Sequence, residues 1–210
     1  MRYEQFILLQ EFETNTYLLW DEESMEAMLI DPAAPGEKVL TSIEKKKLQL
    51  KYIVNTHGHG DHIGGNGFFK DKYSNAKLCI HKEDEEMLYR PNLNLSLYYE
   101  KSTVSPPVDI LLEDNSNIYL GGYEIRVIHT PGHTKGGISL YTGRILFCGD
   151  TLFSDNVGRT DLPGGSFAEL VKSIRDKLFV LPDNTLVLPG HGDPTNILEE
   201  RKYNPFVGEE

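Results

Sequence analysis

The feature that most constrains this chain is the stretch Thr56-His57-Gly58-His59-Gly60-Asp61-His62, where three imidazoles and a carboxylate fall within six residues. The apolar run Tyr52-Ile53-Val54 leads into it, so the cluster stands where a strand gives way to a loop. In an extended segment, residues two apart point the same way, which lets His57 and His59 converge on one ion. Gly58 and Gly60 carry no side chain and permit a tight backbone. Asp61 and His62 then follow a bend and can face a second ion beside the first. Neutral imidazole and ionised carboxylate are ligands that borderline divalent metals take. Any one of these residues alone reads as part of a polar turn. Three of the chain's seven histidines gathered here read as a metal site.

Three further stations share the design. Thr130-Pro131-Gly132-His133-Thr134 places His133 in a tight loop after the strand-like run 125–128. Ile145-Leu146-Phe147-Cys148-Gly149-Asp150 is a buried-strand pattern ending in a carboxylate, and Leu186-Val187-Leu188-Pro189-Gly190-His191-Gly192 ends in a glycine-flanked histidine. Each candidate ligand therefore sits at the end of a strand, the usual place for sites in α/β proteins. The set is His57, His59, Asp61, His62, His133, Asp150 and His191. Seven ligands exceed what one tetrahedral ion takes. They suit two ions, each with three protein ligands, if Asp150 is shared between them.

The rest of the composition narrows the context. A length of 210 residues fits one domain, 1–210, built as two half-domains around one core. With 39% hydrophobic and 25% charged residues the chain reads as a globule rather than a disordered or membrane-spanning protein. A formal net charge of −11 argues against a nucleic-acid partner, while two bound divalent ions would still leave the site open to an anionic substrate. No apolar run approaches the roughly 18–20 residues needed to span a bilayer, and no secretory signal is visible, so the expectation is no membrane partner and a cytoplasmic location. Cys79 and Cys148 lie in apolar runs and read as buried thiols in a reducing compartment, with a bridge between them as the alternative. Nothing in the sequence sets an oligomeric state.

Two β-rich halves emerge along the chain. Strands are expected at 6–12, 16–20, 27–30, 50–54 and 76–80, with a helix at 36–47, a short helix capped by Asp61, and a helix start at 81–86. The span 87–107 has no clear period and is apolar and tyrosine-rich; it reads as a flap beside the metal pocket that supplies an apolar wall. Strands at 110–112, 117–120, 123–128, 137–141 and 144–147 follow, with hairpin turns at Gly121-Gly122 and Thr142-Gly143. Ser166 should cap a helix at 167–177, before a last strand at 185–188. The fold class expected is an α/β, αβ/βα four-layer sandwich, two mixed sheets with helices outside and the site between the halves. His81 is expected to bond locally rather than to bind metal, and Cys148 to lie in the core rather than to act as a nucleophile.

These motifs carry a resemblance. The H-x-H-x-D-H run, T-P-G-H-T, G-D-T-L-F and P-G-H-G resemble the metallo-β-lactamase fold superfamily. Gly149-Asp150-Thr151-Leu152-Phe153 and Gly158-Arg159-Thr160-Asp161, with the ending through Asn204-Pro205-Phe206, are similar to its glyoxalase II (hydroxyacylglutathione hydrolase) branch, in the short prokaryotic form. The resemblance implies that His57, His59 and His133 hold one ion, that Asp61, His62 and His191 hold the other, and that Asp150 bridges. The cofactors implied are two divalent ions, zinc first, with iron or manganese as alternatives. The activity implied is hydrolysis of a glutathione or related small-molecule thioester, by attack of a metal-bridging hydroxide with Asp61 and Asp150 as catalytic carboxylates. Asp31 is implied to orient a ligand imidazole, with a simple strand-ending turn as the other reading. The branch's glutathione-binding Lys-x-Tyr becomes Arg159-Thr160-Asp161, so Arg159 is the expected substrate anchor while the tyrosine is lost, with an ion pair to Asp161 or Asp155 that only fixes the loop as the other reading. Full-length glyoxalase II also has a C-terminal helical domain with basic residues for glutathione, and no counterpart is expected from the sequence through Glu210. The alternative is a persulfide dioxygenase-like enzyme with one non-haem iron held by two histidines and an aspartate; a nuclease on the same fold is disfavoured by the acidic charge.

Overall fold

The computed structural model describes residues 1–98 and 102–209. Its first sheet runs in chain order through β1 (Arg2–Leu9), β2 (Thr14–Trp20), β3 (Glu26–Ile30), β4 (Gln49–Val54), β5 (Lys77–His81) and β6 (Ile110–Leu112). The first three strands pair antiparallel, as short turns allow, and the next three pair parallel. Parallel neighbours need a crossover. It is supplied by α1 (Glu37–Lys46) between β3 and β4, then by α2 (Gly60–Ile63) and α3 (Asn66–Lys72) between β4 and β5.

The second half repeats this plan. An antiparallel meander of β7 (Asn117–Leu120), β8 (Tyr123–His129), β9 (Ile138–Tyr141) and β10 (Ile145–Gly149) comes first. A small hairpin of β11 (Leu152–Phe153) and β12 (Asn156–Val157) and the helix α4 (Phe167–Ser173) lead to β13 (Leu186–Pro189), which joins β10 in parallel. The strand β14 (Thr195–Asn196) and helix α5 (Ile197–Tyr203) complete it.

Side-chain alternation decides the layering. Along β2, Tyr17 and Leu19 enter the core between the two sheets, while Leu18 and Trp20 face the opposite way onto Val39, Leu40 and Ile43 of α1 and Phe69 of α3. On β10, Phe147 points inward to the same inter-sheet core, and Leu146 and Cys148 point out to Leu170 of α4 and Ile197 of α5. Both faces of these strands are buried, which is why they read as unbroken apolar runs. Tyr17 and Phe147 meet edge-on across the sheets with ring centroids 5.2 Å apart. The expected αβ/βα sandwich is the fold observed. Among the described residues no helix is long and apolar enough to cross a membrane.

Local differences from expectation have local causes. The first strand runs Arg2–Leu9 rather than 6–12, because pairing with β2 extends it to Arg2↔Trp20 while Phe12 turns off the sheet. His59, not Asp61, occupies the N-cap of α2; Asp61 lies in the first turn, where a negative charge is favoured by the helix dipole. Residues 82–88 form a 3-10 turn, Lys82–Leu88. Ser166 does cap α4 through its side chain, but the last turns of the expected helix widen into a π-helical segment, Ile174–Leu178.

Candidate metal centre

All seven candidate ligands come together where the strands of both sheets end. β4 delivers the loop carrying His57 and His59, and α2 carries Asp61 and His62. β8 leads to His133, β10 to Asp150 and β13 to His191. The ligand atoms of His57, His59 and His133 lie within 4.8 Å of one another, and so do those of Asp61, His62 and His191. Asp150 stands between the two groups. Its Oδ1 is 3.4 Å from His62 Nε2, and its Oδ2 is 3.5 Å from His133 Nε2 and 3.4 Å from His191 Nε2. The ligand atoms of a third group, Asp31 with His57 and His62, also lie within 4.8 Å of one another. There the carboxylate is already occupied by protein donors.

Hydrogen bonds on the outer edge of each ring settle which nitrogen faces inward. His133 donates from Nδ1 to the Arg159 carbonyl at 2.7 Å, and His191 from Nδ1 to the Phe12 carbonyl at 2.8 Å. His62 Nδ1 faces Asp31 Oδ2 at 3.1 Å, and His57 Nδ1 faces Thr56 Oγ1 at 3.2 Å. With Nδ1 carrying a proton, Nε2 of each of these rings points into the centre and offers its lone pair there in the neutral imidazole. His59 is turned the other way, its Nδ1 lying 2.9 Å from His133 Nε2. Asp31 reaches beyond His62: it also accepts from Thr56 N at 2.7 Å and from Thr56 Oγ1 at 2.6 Å, the hydroxyl that faces His57. Its backbone is in the left-handed region at φ 48°, which aspartate tolerates better than most residues.

Two buried atoms here have no hydrogen-bond partner among the described residues, His57 Nε2 and Asp150 Oδ1. Buried polar atoms are nearly always bonded, so a lone pair left over on each points to a bound cation. The charges agree. Burial and the neighbouring His133 hold His59 down to about 3, and burial and His62 hold His57 well below the usual histidine range. Both are neutral ligands at physiological pH. Burial also opposes charge on His62 and His191, but the surrounding carboxylates outweigh it and raise them to about 9 and about 11. Burial pushes Asp61 and Asp150 upward, yet the imidazoles prevail and keep both below the ordinary carboxylate value. The carboxylates thus draw positive charge to this point, which a divalent ion would supply. The donor set fits one or two such ions.

The centre forms the floor of a cavity of about 760 Å³. Phe12, Leu95, Tyr98, Phe153 and Leu162 contribute apolar wall. Leu95 and Tyr98 belong to the 87–107 connection, whose described part lies against the site as expected; Tyr99 falls outside the described residues. Asn94 fixes that connection by taking the Gly60 N–H on its carbonyl and donating to Met87 O and Thr103 O. Arg159 also lines the cavity, but its guanidinium forms a two-point, exposed pair with Asp161 at 3.0 and 2.8 Å. His81 accepts from Glu83 N and stacks on His129 at 4.0 Å, away from the centre. Cys148 is free, fully buried and pushed up to about 12 by burial, so it offers no thiolate.

Sequence reasoning missed the residues that hold the His191 loop. Asn15 donates to Pro189 O and Gly192 O, and the Tyr17 hydroxyl donates to Pro189 O at 2.7 Å. Thr14 Oγ1 reaches Asp61 Oδ2 at 3.3 Å. A polar triplet Thr14-Asn15-Thr16 opening an otherwise apolar strand was the available signal.

A four-layer sandwich with a His/Asp centre between its halves defines a class of metal-dependent proteins. The chain belongs to the metallo-beta-lactamase superfamily, which matches residues 9–191. It is similar to the hydroxyacylglutathione hydrolase GloC of Haemophilus influenzae, at 33% identity over 97% of either chain. Among solved structures it resembles BLEG-1 B3 metallo-beta-lactamase, with a TM-score of 0.91 and 35% identity over 98% of this chain and 99% of that one. It also resembles TTHA1623, solved in a di-iron-bound form, with a TM-score of 0.82 and 30% identity over 99% of this chain and 100% of that one.

Proposed function

We propose that this chain is a metal-dependent hydrolase of a small thioester, a glutathione thioester being the first candidate, working in the cytoplasm. The observation that carries the reading is a pair of three-ligand clusters flanking Asp150 at the floor of an apolar-walled cavity. His57, His59 and His133 would hold one ion, Asp61, His62 and His191 the other, with Asp150 between. Zinc suits this donor set, and iron or manganese also falls within its chemistry. Such ions, when bound, supply Lewis acidity and bring the pKa of water near neutrality.

The side chains perform the remaining tasks. Asp61 and Asp150 stay ionised at neutral pH and, by accepting its hydrogens, would orient an attacking water towards a carbonyl carbon. Thr14 restrains Asp61 for this role. Phe12, Leu95, Tyr98, Phe153 and Leu162 would pack on the acyl group and exclude bulk water. Arg159 at the cavity wall would take a substrate carboxylate in its planar fork. No side-chain nucleophile is required, in keeping with an inert Cys148. The likeness to GloC supports the thioester, the di-iron form of TTHA1623 supports a two-ion centre, and two free buried thiols support a reducing compartment.

The test is metal analysis of protein purified without added metal, followed by kinetics on thioesters, esters, a β-lactam and RNA. About two ions per chain and the highest kcat/KM on a thioester are expected. Faster turnover of RNA or the β-lactam would overturn the substrate class. A single iron, with oxygen uptake on glutathione persulfide, would assign the chain to the dioxygenase chemistry instead.

A further inference from the structure

Asp84 is a buried carboxylate outside the seven candidate ligands, in the 3-10 turn that follows β5. Only 1% of it is exposed, and its bonds come from three uncharged donors. Oδ2 accepts from Gly58 N at 3.0 Å and from Thr134 Oγ1 at 2.7 Å, and Oδ1 accepts from Gly136 N at 2.7 Å. Burial pushes this carboxyl above its ordinary value against the pull of those donors. A carboxyl buried at that cost needs a reason.

The partners supply one. Gly58 lies between His57 and His59, and Thr134 directly follows His133. One carboxylate therefore grips both chain segments that build the first cluster, segments that belong to different halves of the molecule. Close approach is built in: a Cβ at Gly136 would lie 2.6 Å from Asp84 N and 2.7 Å from Asp84 Oδ1. Asp31 serves the second cluster by touching the His62 ring itself. Asp84 touches no ligand ring and acts only through loop backbone and a hydroxyl.

We propose that Asp84 is the positioning residue of the first cluster, fixing the separation between the His57–His59 loop and His133 before an ion arrives. The inference rests on reading His57, His59 and His133 as an ion site. Ligands already spaced need no loop ordering on binding, and that preorganisation raises affinity. Asparagine at this position keeps the volume but has one acceptor oxygen, so its amide nitrogen would confront at least one of the three donors.

The test uses the full chain, wild type and Asp84→Asn, with Asp31→Asn as the contrasting variant. Hydrogen exchange on metal-free protein reads the loops, and zinc titration against a chelator, with anomalous scattering, reads each site. In Asp84→Asn the amides of 57–59 and 133–136 should exchange about tenfold faster or more while strand amides keep their rates. One of two zinc ions should weaken by about 10–100-fold, with the signal lost among His57, His59 and His133 and kept at Asp61, His62 and His191. Asp31→Asn should weaken the Asp61, His62 and His191 site, which Asp84→Asn spares, because it loses the contact to the His62 ring. Unchanged loop exchange, uniform acceleration through the whole chain, or equal weakening of both ions would overturn the proposal. If wild-type protein takes up no zinc, the metal reading fails, and the exchange measurement still decides whether Asp84 sets the loops. Should Asp84→Asn not fold, Thr134→Val removes one of the three donors and must show the same local pattern.

Discussion

Four of the five imidazoles at this centre keep the same edge outward, each with Nδ1 against an oxygen of the protein. The residues that meet at this centre were legible in the sequence because they cluster and sit between glycines. The tautomer-setting partners were less legible, since Phe12 O and Arg159 O are backbone atoms that any residue could supply. Arg159 itself shows how far the sequence reaches. Its fork is engaged by Asp161, yet both side chains are about two-thirds exposed, at 68% and 69%. Exposed pairs of this kind are weak and screened by salt, so a substrate carboxylate can take the place of Asp161. Arg159→Ala should then raise KM for a glutathione thioester roughly tenfold or more and leave a small uncharged ester nearly unaffected. Steady-state kinetics on the two substrates decides it. Equal losses on both would make Arg159 a loop brace whose partner is Asp161 alone.

At the scale of elements, strand ends were the reliable part of the reading, because strands buried on both faces announce themselves as apolar runs. Edges were less so: β1 has a neighbour on one side only, and its polar first half, Arg2 to Gln5, concealed its true start. The loops leaving β10 and β13 carry the sharpest constraint. Gly190 precedes His191, and a Cβ there would run into Asp150 Oδ1 and lie 2.7 Å from His62 Cε1. Both obstacles are candidate ligands, His62 held at Nδ1 by Asp31 and Asp150 packed among the imidazoles of His62, His133 and His191. The variant Gly190→Ala is therefore expected to fold, with its far-ultraviolet dichroism unchanged, while its metal content after dialysis falls by half or more. Full metal content in that variant would show that Asp150 has room to give, and that its position is not what binds the ions.

Across the whole molecule, each cluster draws two ligands from the first half of the chain and one from the second, and Asp150 of the second half faces both. The mirrored order of strands and helices was legible in the sequence, whereas the cross-half contacts were not. Asn15 bonding to Pro189 spans 174 positions and Asp84 bonding to Thr134 spans 50, distances at which no local pattern survives. This arrangement makes any bound ion a cross-link between the sheets, acting beside the Tyr17–Phe147 contact in the core. An ion that binds the folded chain and not the unfolded one stabilises it by an amount set by its concentration relative to Kd. At a hundredfold excess over Kd that is about 2.7 kcal/mol per ion. For a domain of about 150–250 residues each kcal/mol moves Tm by roughly 2–4 °C, so one ion should account for roughly 5–11 °C. Scanning calorimetry on full-length protein with saturating zinc and with a chelator should show this rise, doubled if both clusters fill. Replacing His191 by alanine should remove about half of the doubled gain, because it dismantles one cluster and leaves His57, His59 and His133 in place. An identical Tm with zinc and with chelator would mean that the folded clusters hold the ion no better than the unfolded chain does, and the two halves would then owe their docking to the apolar core and the protein's own cross-half hydrogen bonds.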